Sequence, residues 1–340
     1  MTHVVLTGAS GFVGSHVLRH LLTATDWTLA CPVTFRHKGL PRRIVSALDD
    51  HRQWWERVDV ITCDLSSPVD RITLDQLGGE HCRYVINAAS ESHVDRSISH
   101  PVPFVANNIN LVLNVLEAAR RMPNLEKLIQ VSTDEIYGPV PSGYASREWD
   151  AVIPSNPYAA SKAAQEAIAV SYWRTFNVPL IITNTMNIIG EMQDAEKFVP
   201  KAIKSALSGD TMPIHAARNG TPGSRHYLHA RNQADALLFL LNQVLPDVRY
   251  GPGATKPPRF NIVGEREIDN LTMARMIAEY VGNDVNTEMV DFHSARPGHD
   301  LRYAMTGERI EALGWKAPLP LEDSLRKTVE WTLDHREWLS

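Results

Sequence analysis

The sequence predicts an α/β fold in which a doubly wound, mostly parallel sheet is covered by helices on both faces. Short apolar runs alternate with helical patterns over the first half of the chain, and this alternation is typical of such a sheet. The runs at residues 128–131 and 180–182 are predominantly apolar, as expected for strands buried on both faces. The 340 residues are enough for one large domain or two closely packed ones.

The order of elements follows from these patterns. Strands are predicted at residues 4–6, 58–62, 84–88, 128–132 and 180–184. Helices are predicted at residues 12–22, 107–121, 161–175, 235–244 and 272–281. Beyond residue 184 prolines punctuate the chain, which indicates a smaller mixed region with some segments returning to the first domain. Residues 251–258, rich in glycine and proline, are predicted to be a surface loop.

Composition and charge narrow the class of protein. A formal net charge of −5 gives no basic footprint for nucleic acid. The three cysteines follow no metal-ligand spacing and indicate a reducing compartment. The chain enters a strand directly, without a signal-like leader, and no stretch approaches eighteen apolar residues. We therefore expect a cytoplasmic enzyme with no nucleic-acid or membrane partner and no metal site.

A glycine-rich turn lies between the first strand and the first helix. Gly8, Gly11 and Gly14 permit a tight turn, a close approach of the backbone to a pyrophosphate, and close helix packing. The helix N-terminus then offers free N–H groups to the phosphates. An ordinary tight turn is the alternative, but the position at the first βα junction favours a dinucleotide site. Asp64, after a later strand, could accept a hydrogen bond from adenine or equally cap a turn.

The end of the second strand bears on the type of dinucleotide. NAD enzymes usually place an acid near this point to hold the ribose hydroxyls. This chain has Thr34, Arg36, His37 and Lys38 instead, and no carboxylate before Asp49. An arginine can hold a 2'-phosphate, so the segment locally indicates NADP; a solvated basic loop is the alternative.

Tyr158 and Lys162 are spaced to share one face of a helix. The lysine charge, with help from an oxidised nicotinamide ring, is expected to lower the tyrosine pKa. A tyrosinate can then take a hydroxyl proton while hydride leaves the same carbon. Chance surface decoration is the alternative, and the glycine-rich turn argues against it.

Asp134 and Glu135 form an adjacent carboxylate pair at the end of a predicted strand. An acid–base pair of this kind can eliminate water if one carboxyl is protonated, with a raised pKa, and the other is ionised. Neighbours on a strand point to opposite faces, so the strand must end there. Residues 137–139 (Tyr-Gly-Pro) supply a stop. Two solvated loop carboxylates are the alternative.

The chain resembles the extended short-chain dehydrogenases/reductases and, within them, the dTDP-glucose 4,6-dehydratases. The resemblance covers nearly the whole length and rests on residues 7–14, 91–97, 132–138, 155–162 and 296–303. The first and fourth of these segments mark the broad group, and the other three are more specific to the dehydratases.

The resemblance implies a redox-neutral cycle on a nucleotide sugar. Tyr158 would deprotonate the C4 hydroxyl while hydride passes from C4 to the nicotinamide. Glu135 would remove the C5 proton, and Asp134 would protonate the departing C6 hydroxyl. Hydride then returns to C6 and a proton to C5, and Thr133 would hydrogen-bond the C4 oxygen. The product is a 4-keto-6-deoxy sugar nucleotide.

The resemblance also implies the residues of both ligand sites. The cofactor set comprises Gly8, Ser10, Gly11, Phe12, Val13, Gly14, Thr34, Arg36, Asp64, Leu65, Ala88, Ala89, Ser90, Asn108, Tyr158 and Lys162. The substrate set comprises Ser92, His93, Asn187, Glu196, Lys197, Arg225, Arg296 and His299. The chain departs from the family at residues 188–189, 191–192 and 226–227, which leaves the sugar and the base open.

Domain organisation and partners follow in the same way. Residues 1–184 are expected to form a dinucleotide-binding Rossmann domain, to which residues 225–262 return, and residues 185–224 and 263–340 a substrate-binding region. The resemblance implies a homodimer built from the helices at residues 107–121 and 161–175, although their apolar positions could equally be intramolecular core. It implies NAD, against the local indication of NADP.

Two rival functions remain at this stage. A 4-epimerase or decarboxylase of the same fold would share Tyr158 and Lys162, but such enzymes typically lack the Asp134–Glu135 pair. A non-catalytic dinucleotide-binding sensor is the second rival, and the complete set of catalytic positions argues against it.

Overall fold

The computed structural model describes residues 2–49, 51–292 and 300–340. Its main sheet contains β1 (His3–Thr7), β2 (Thr28–Val33), β3 (Val58–Thr62), β4 (Cys82–Asn87), β5 (Lys127–Thr133), β6 (Leu180–Thr185) and β12 (Arg259–Ile262). The strand order is β3-β2-β1-β4-β5-β6-β12, and every pair is parallel. The direction of winding reverses between β1 and β4, which is where such sheets bind ligands. The predicted doubly wound parallel sheet is confirmed.

Helices cover both faces of this sheet. On one face lie α1 (Phe12–Ala24), α2 (Pro41–Leu48) and α9 (Ala230–Asn242), whose apolar side chains share a core with β1 and β2. On the other lie α4 (Arg71–Gln76), α6 (Pro101–Ala119) and α7 (Pro157–Phe176). Short helices α3 (Arg52–Trp55) and α5 (Val94–Ser99) complete this part. Both α6 and α7 begin with proline at the first helical position, as proline's fixed φ favours, so each starts earlier than predicted.

A smaller mixed region follows β6. It contains a three-stranded sheet of β7 (Asn187–Ile189), β9 (Ser224–His229) and β13 (Glu267–Asp269), and a parallel pair of β8 (Met212–Ala216) and β14 (Thr287–Asp291). Helices α8 (Phe198–Ser208), α10 (Asn270–Val281) and α12 (Leu321–Asp334) enclose its core, and α11 (Glu308–Ala312) packs on β12. Within residues 225–262, α9 and β12 pack on the large domain, whereas β9 pairs with the smaller sheet.

The predicted surface loop at residues 251–258 is wrong in part. Strands β10 (Val248–Gly251) and β11 (Ala254–Lys256) form an antiparallel hairpin there. Pro252 and Gly253 form its tip, and Gly253 has φ +69°, which a side chain rarely adopts. A proline followed by a left-handed glycine therefore turns the chain back into a strand instead of extending a loop.

Helix α6 corrects a second expectation. An 18-residue window of this 19-residue helix has a mean hydropathy of 1.2, so by length and composition alone it could cross a membrane. The sequence pattern concealed this because asparagines interrupt the apolar run. In the structure α6 packs against α7 and β4, and Asn114 Nδ2 donates to Leu65 O at 2.9 Å. These contacts are those of a helix that flanks a sheet.

Candidate active site

A large cavity of about 740 Å³ opens at the carboxyl ends of the central strands. Its walls come from the β1–α1 turn, the ends of β2, β4 and β5, the start of α7, and the segment between β7 and α8. This is the place where a doubly wound sheet binds ligands. The cavity is within the size range of enclosed small-molecule sites.

The glycine-rich turn leaves no room for side chains. Gly8 has φ +76°, and a Cβ there would lie 2.9 Å from Ala89 N. A Cβ on Gly14 would lie 2.0 Å from Gly8 O, so α1 can approach β1 only because position 14 is glycine. Phe12 and Val13, in the first turn of α1, line the cavity. This cradle fits the pyrophosphate of a dinucleotide.

Replacing Gly14 by alanine is expected to weaken dinucleotide binding, because α1 must move away from β1. Overpacking of this kind costs about 1–3 kcal/mol, and we expect an affinity loss of about tenfold or more. The measurement is the dinucleotide content of purified protein, together with a titration. Gly251→Ala is the matched control, since its Cβ would meet its nearest atom only at 3.9 Å. Equal cofactor content in the two variants would contradict the expectation.

The polar side chains that follow β2 and β3 pair with each other. Arg36 NH2 lies 2.5 Å from Asp64 Oδ2. Asp64 Oδ1 accepts hydrogen bonds from Ser66 N at 2.9 Å and Ser66 Oγ at 2.7 Å. Asp64 thus forms a turn and an ion pair, and both residues line the cavity with Thr34 and Leu65. The basic segment is therefore not simply solvated.

The end of β4 contributes Ala88, Ala89 and Ser90 to the cavity wall. Asn108, predicted with them, does not reach the wall. Its fully buried amide donates to Glu91 O at 3.0 Å and to Ser161 Oγ at 2.9 Å, and accepts from Glu91 N at 2.9 Å. Asn108 therefore supports the wall from behind. The spacing of polar residues on α6 could not show which of two adjacent asparagines faces the ligand; Asn107 lines the cavity.

The carboxylate pair lies on a turn. Strand β5 ends at Thr133, and a short 3-10 helix at Asp134–Tyr137 follows it. Thr133 Oγ1 donates to Asp134 Oδ1 at 3.0 Å and accepts from Glu135 N at 3.3 Å. Because the strand ends before the pair, both carboxylates face one cavity. The turn was expected at residues 137–139 and begins three residues earlier.

Burial controls the charges of this pair. Burial, and then the charge of Glu135, raise the pKa of Asp134 to about 7. Asp134 Oδ2 is buried and has no hydrogen-bond partner among the described residues. Burial also raises the pKa of Glu135, whereas a hydrogen bond from Asn156 and the charges of Arg225 and Lys197 lower it. Asp134 can therefore hold a proton near neutral pH, as an acid requires.

Tyr158 and Lys162 lie one turn apart at the start of α7 and line the same cavity. Lys162 Nζ donates to Val131 O at 2.8 Å and to Gln165 Oε1 at 2.7 Å. Burial lowers the Lys162 pKa to about 8, against the charge of Glu166.

The expected lowering of the Tyr158 pKa is not seen. Burial and the charge of Glu135 raise it, and a side-chain hydrogen bond with Thr133 opposes them. The lysine ammonium meets acceptors on β5 and α7. The spacing of Tyr158 and Lys162 in the sequence shows that they share one face of the helix. It does not show that burial raises the pKa of Tyr158 or that the lysine ammonium has other acceptors.

Asn156 is a functional position that the motifs missed. Its Oδ1 accepts from Ala159 N at 2.8 Å and caps α7, while its Nδ2 donates to Glu135 Oε2 at 3.0 Å. It therefore joins the carboxylate turn to the helix that carries Tyr158. The signal was present, since asparagine directly before proline at a helix start is a strong cap.

Asn156→Asp is expected to slow water elimination about tenfold at neutral pH. The carboxylate keeps the cap but places a second negative charge beside Glu135, which raises the pKa of the general base. The rising limb of the pH–rate profile should move to higher pH, because Glu135 then needs a higher pH to ionise. Asn156→Ser keeps a cap without the charge and is the control. An unmoved limb in Asn156→Asp would contradict this role.

Most of the predicted substrate residues reach the same cavity. Ser92, His93, Asn187, Glu196, Lys197 and Arg225 line it. Carbonyl oxygens of Ser224, Asp300 and Leu301 accept from the Arg225 guanidinium at 2.6–2.7 Å. The charge of Arg225 lowers the pKa of both Asp134 and Glu135. Arg296 and His299 lie outside the described residues.

The fold and the cavity together define a dinucleotide-binding enzyme with a tyrosine–lysine pair and a carboxylate pair at one site. The chain belongs to the NAD dependent epimerase/dehydratase family, which matches residues 4–251.

Individual relatives narrow the comparison. The chain is 31% identical over 359 residues to dTDP-glucose 4,6-dehydratase 1 of Escherichia coli, covering 99% of this chain and 94% of that protein. It is 31% identical over 334 residues to the low-salt glycan biosynthesis protein Agl12 of Haloferax volcanii, covering 98% and 99%. The dTDP-glucose 4,6-dehydratase DesIV of Streptomyces venezuelae, solved with NAD, is 27% identical with a TM-score of 0.84, covering 99% and 98%. UDP-glucose 4-epimerase of Thermus thermophilus, at 24% identity, shares the fold with a TM-score of 0.81, covering 97% and 98%.

Proposed function

We propose that this chain is a nucleotide-sugar 4,6-dehydratase. It would oxidise C4 of a nucleoside-diphosphate hexose of the dTDP-glucose type, remove water across C5 and C6, and return hydride to C6 and a proton to C5. The observation that carries the proposal is the placement of Asp134 and Glu135 in the same cavity as Tyr158. The relatives named dTDP-glucose 4,6-dehydratase support it.

Each side chain has a proposed step, and Tyr158, whose pKa is raised by its surroundings, would need the positive charge of an oxidised nicotinamide to ionise for the first one. Tyr158 takes the C4 hydroxyl proton, and Thr133 bonds the same oxygen. Glu135 removes the C5 proton, which a ketone at C4 makes acidic, and Asn156 stabilises its ionised form. Asp134, with a pKa near 7, gives its proton to the departing C6 hydroxyl, so the C6–O bond breaks and water leaves. A bound nicotinamide supplies the acceptor, and later the donor, of hydride.

The cofactor is proposed to be NAD. The glycine cradle and Ala88–Ser90 would hold its pyrophosphate and the adjoining backbone. Arg36 is already paired with the carboxylate of Asp64. A carboxylate beside this arginine would repel a dianionic 2'-phosphate, whereas it can accept hydrogen bonds from ribose hydroxyls. The local indication of NADP is thereby outweighed.

The division of the chain and its assembly are part of the proposal. Residues 1–184 with 225–262 would hold the dinucleotide, and residues 185–224 and 263–340 the sugar nucleotide.

A homodimer is proposed through α6 and α7. Only 39% of the apolar window of α6 is buried within one chain, and Val102 and Phe176 on these helices are exposed. A cytoplasmic location remains a prediction.

The test is to incubate purified protein with a panel of nucleoside-diphosphate hexoses and to follow loss of water by mass spectrometry. We expect one hexose to lose 18 mass units, the mass of one water molecule, without net change in the cofactor. The copurifying dinucleotide is identified in the same run. Epimerised products of unchanged mass would instead favour the 4-epimerase reading, and turnover of none would favour a sensor.

A further inference from the structure

The basic loop after β2 touches the segment before α8 through one buried arginine. Arg43, on α2, is 0% exposed. Its Nε and NH2 donate to Met192 O at 3.2 and 2.9 Å, and its NH1 donates to Lys38 O at 2.6 Å. NH2 also lies 3.2 Å from Asp194 Oδ1. A buried guanidinium needs all its donors satisfied, and here the acceptors come from the two segments in question.

A second contact lies nearer the cavity. Lys38 Nζ lies 3.3 Å from Glu196 Oε2, and His93 Nε2 lies 3.3 Å from Glu196 Oε1. The same loop is tied to the glycine-rich turn, since Leu40 N donates to Ser10 O at 2.9 Å. A continuous set of contacts therefore joins the dinucleotide turn, the basic loop and Glu196, which neighbours Lys197.

Backbone conformation is unusual on both sides of this contact. Phe35, His37 and Met192 have φ of 50°, 54° and 63°. They are three of five non-glycine residues with positive φ in the described part of the chain. Such conformations are costly and persist only where surrounding contacts hold them. The loop and the segment thus hold each other in place.

We propose that Arg43 is a positioning residue which, with Lys38, couples the dinucleotide loop to the segment carrying Glu196 and Lys197. The proposal rests on the proposed function for the identity of the two ligands. Arg36, His37, Lys38 and Gly39 line the cavity, so a dinucleotide in the cradle restrains this loop. Arg43 and Lys38 pass the restraint to the segment, which then loses less conformational freedom when a sugar nucleotide binds.

Coupling of this kind is reciprocal between the two ligands. The test titrates the full chain, cofactor-depleted and NAD-saturated, with thymidine, uridine, guanosine and cytidine diphosphates by calorimetry. For the tightest of these we expect NAD to raise the affinity about fivefold or more. The ratio of the nucleotide affinities with and without NAD should fall close to one in Lys38→Ala, which removes a half-exposed side chain. It should also fall close to one in Arg43→Lys, which keeps the charge but loses the paired donors to Met192.

Arg42→Ala is the matched control, because Arg42 lies on the same helix and its guanidinium lies 3.6 Å from the centre of the Trp338 ring, which Arg43 also approaches at 5.4 Å. It should keep the native ratio. Three results would overturn the coupling without touching the proposed function. They are a native chain whose nucleotide affinity does not change with NAD, a native affinity ratio in both Lys38→Ala and Arg43→Lys, and an equal loss of that ratio in Arg42→Ala. If no nucleoside diphosphate binds in either state, the proposed function fails with it.

Discussion

Glu135→Gln is expected to reduce its bound cofactor when given substrate and yet release no dehydrated product. The C4 oxidation needs Tyr158, which the substitution leaves intact, whereas removal of the C5 proton needs a carboxylate base. Loss of a general base costs about 10²–10⁴-fold. The reduced nicotinamide should accumulate, and its absorbance can be followed in single-turnover mixing while mass spectrometry follows water loss.

Two comparisons sharpen this experiment. Tyr158→Phe should block cofactor reduction itself, which separates the first step from the second. Glu330→Gln, at an exposed position on α12, controls for the chemical change and should behave as the native chain. Native-like dehydration by Glu135→Gln would contradict both the role of Glu135 and the dehydratase proposal.

Asp134→Asn is expected to lose activity and gain stability. The folded chain binds a proton at Asp134 with a pKa of about 7, against 3.8 for an ordinary aspartate. The folded state therefore holds this proton more tightly than the unfolded state, and the free energy of unfolding falls as the pH rises from about 4 to about 7. Asparagine removes that loss, at most on the order of 4 kcal/mol.

The gain in stability should be larger at high pH than at low pH. The thermal midpoint of Asp134→Asn should exceed that of the native chain by more at pH 8 than at pH 5. Dehydration should fall about a hundredfold or more, because the general acid is gone. Asp284→Asn, at an exposed position, should change neither property. A lower thermal midpoint for Asp134→Asn than for the native chain at pH 8 would show that ionising the buried Asp134 carboxyl does not destabilise the folded state.

The fold was largely predictable because its signal is local. Apolar runs place β3 at its observed bounds and β1, β4, β5 and β6 within two residues, whereas β2 and β12 were given no bounds. The start of α6 was missed because the periodic pattern is weaker around Pro101, although proline at the first helical position is itself a start signal. The hairpin of β10 and β11 was missed because glycine and proline mark a loop and a tight turn alike.

The site was predictable as a set of residues but not as a set of environments. Motifs identified the carboxylate pair, the tyrosine–lysine pair and the cradle, and the structure places them around one cavity. Burial decides whether Tyr158 or Asp134 holds its proton, and burial depends on contacts distant in sequence. Arg225 shows the same limit, since the carbonyls that hold it come largely from residues 300–301.

The edge strand β12 has a consequence for how the molecule can be made. Every residue of β6 is buried, and one of its two neighbours is supplied by residues 259–262. A fragment ending at residue 184 would leave an apolar strand edge open to other chains, which favours aggregation. On the ribosome, the sheet stays unfinished until residue 262 has emerged, so this enzyme must complete its cofactor domain late in synthesis.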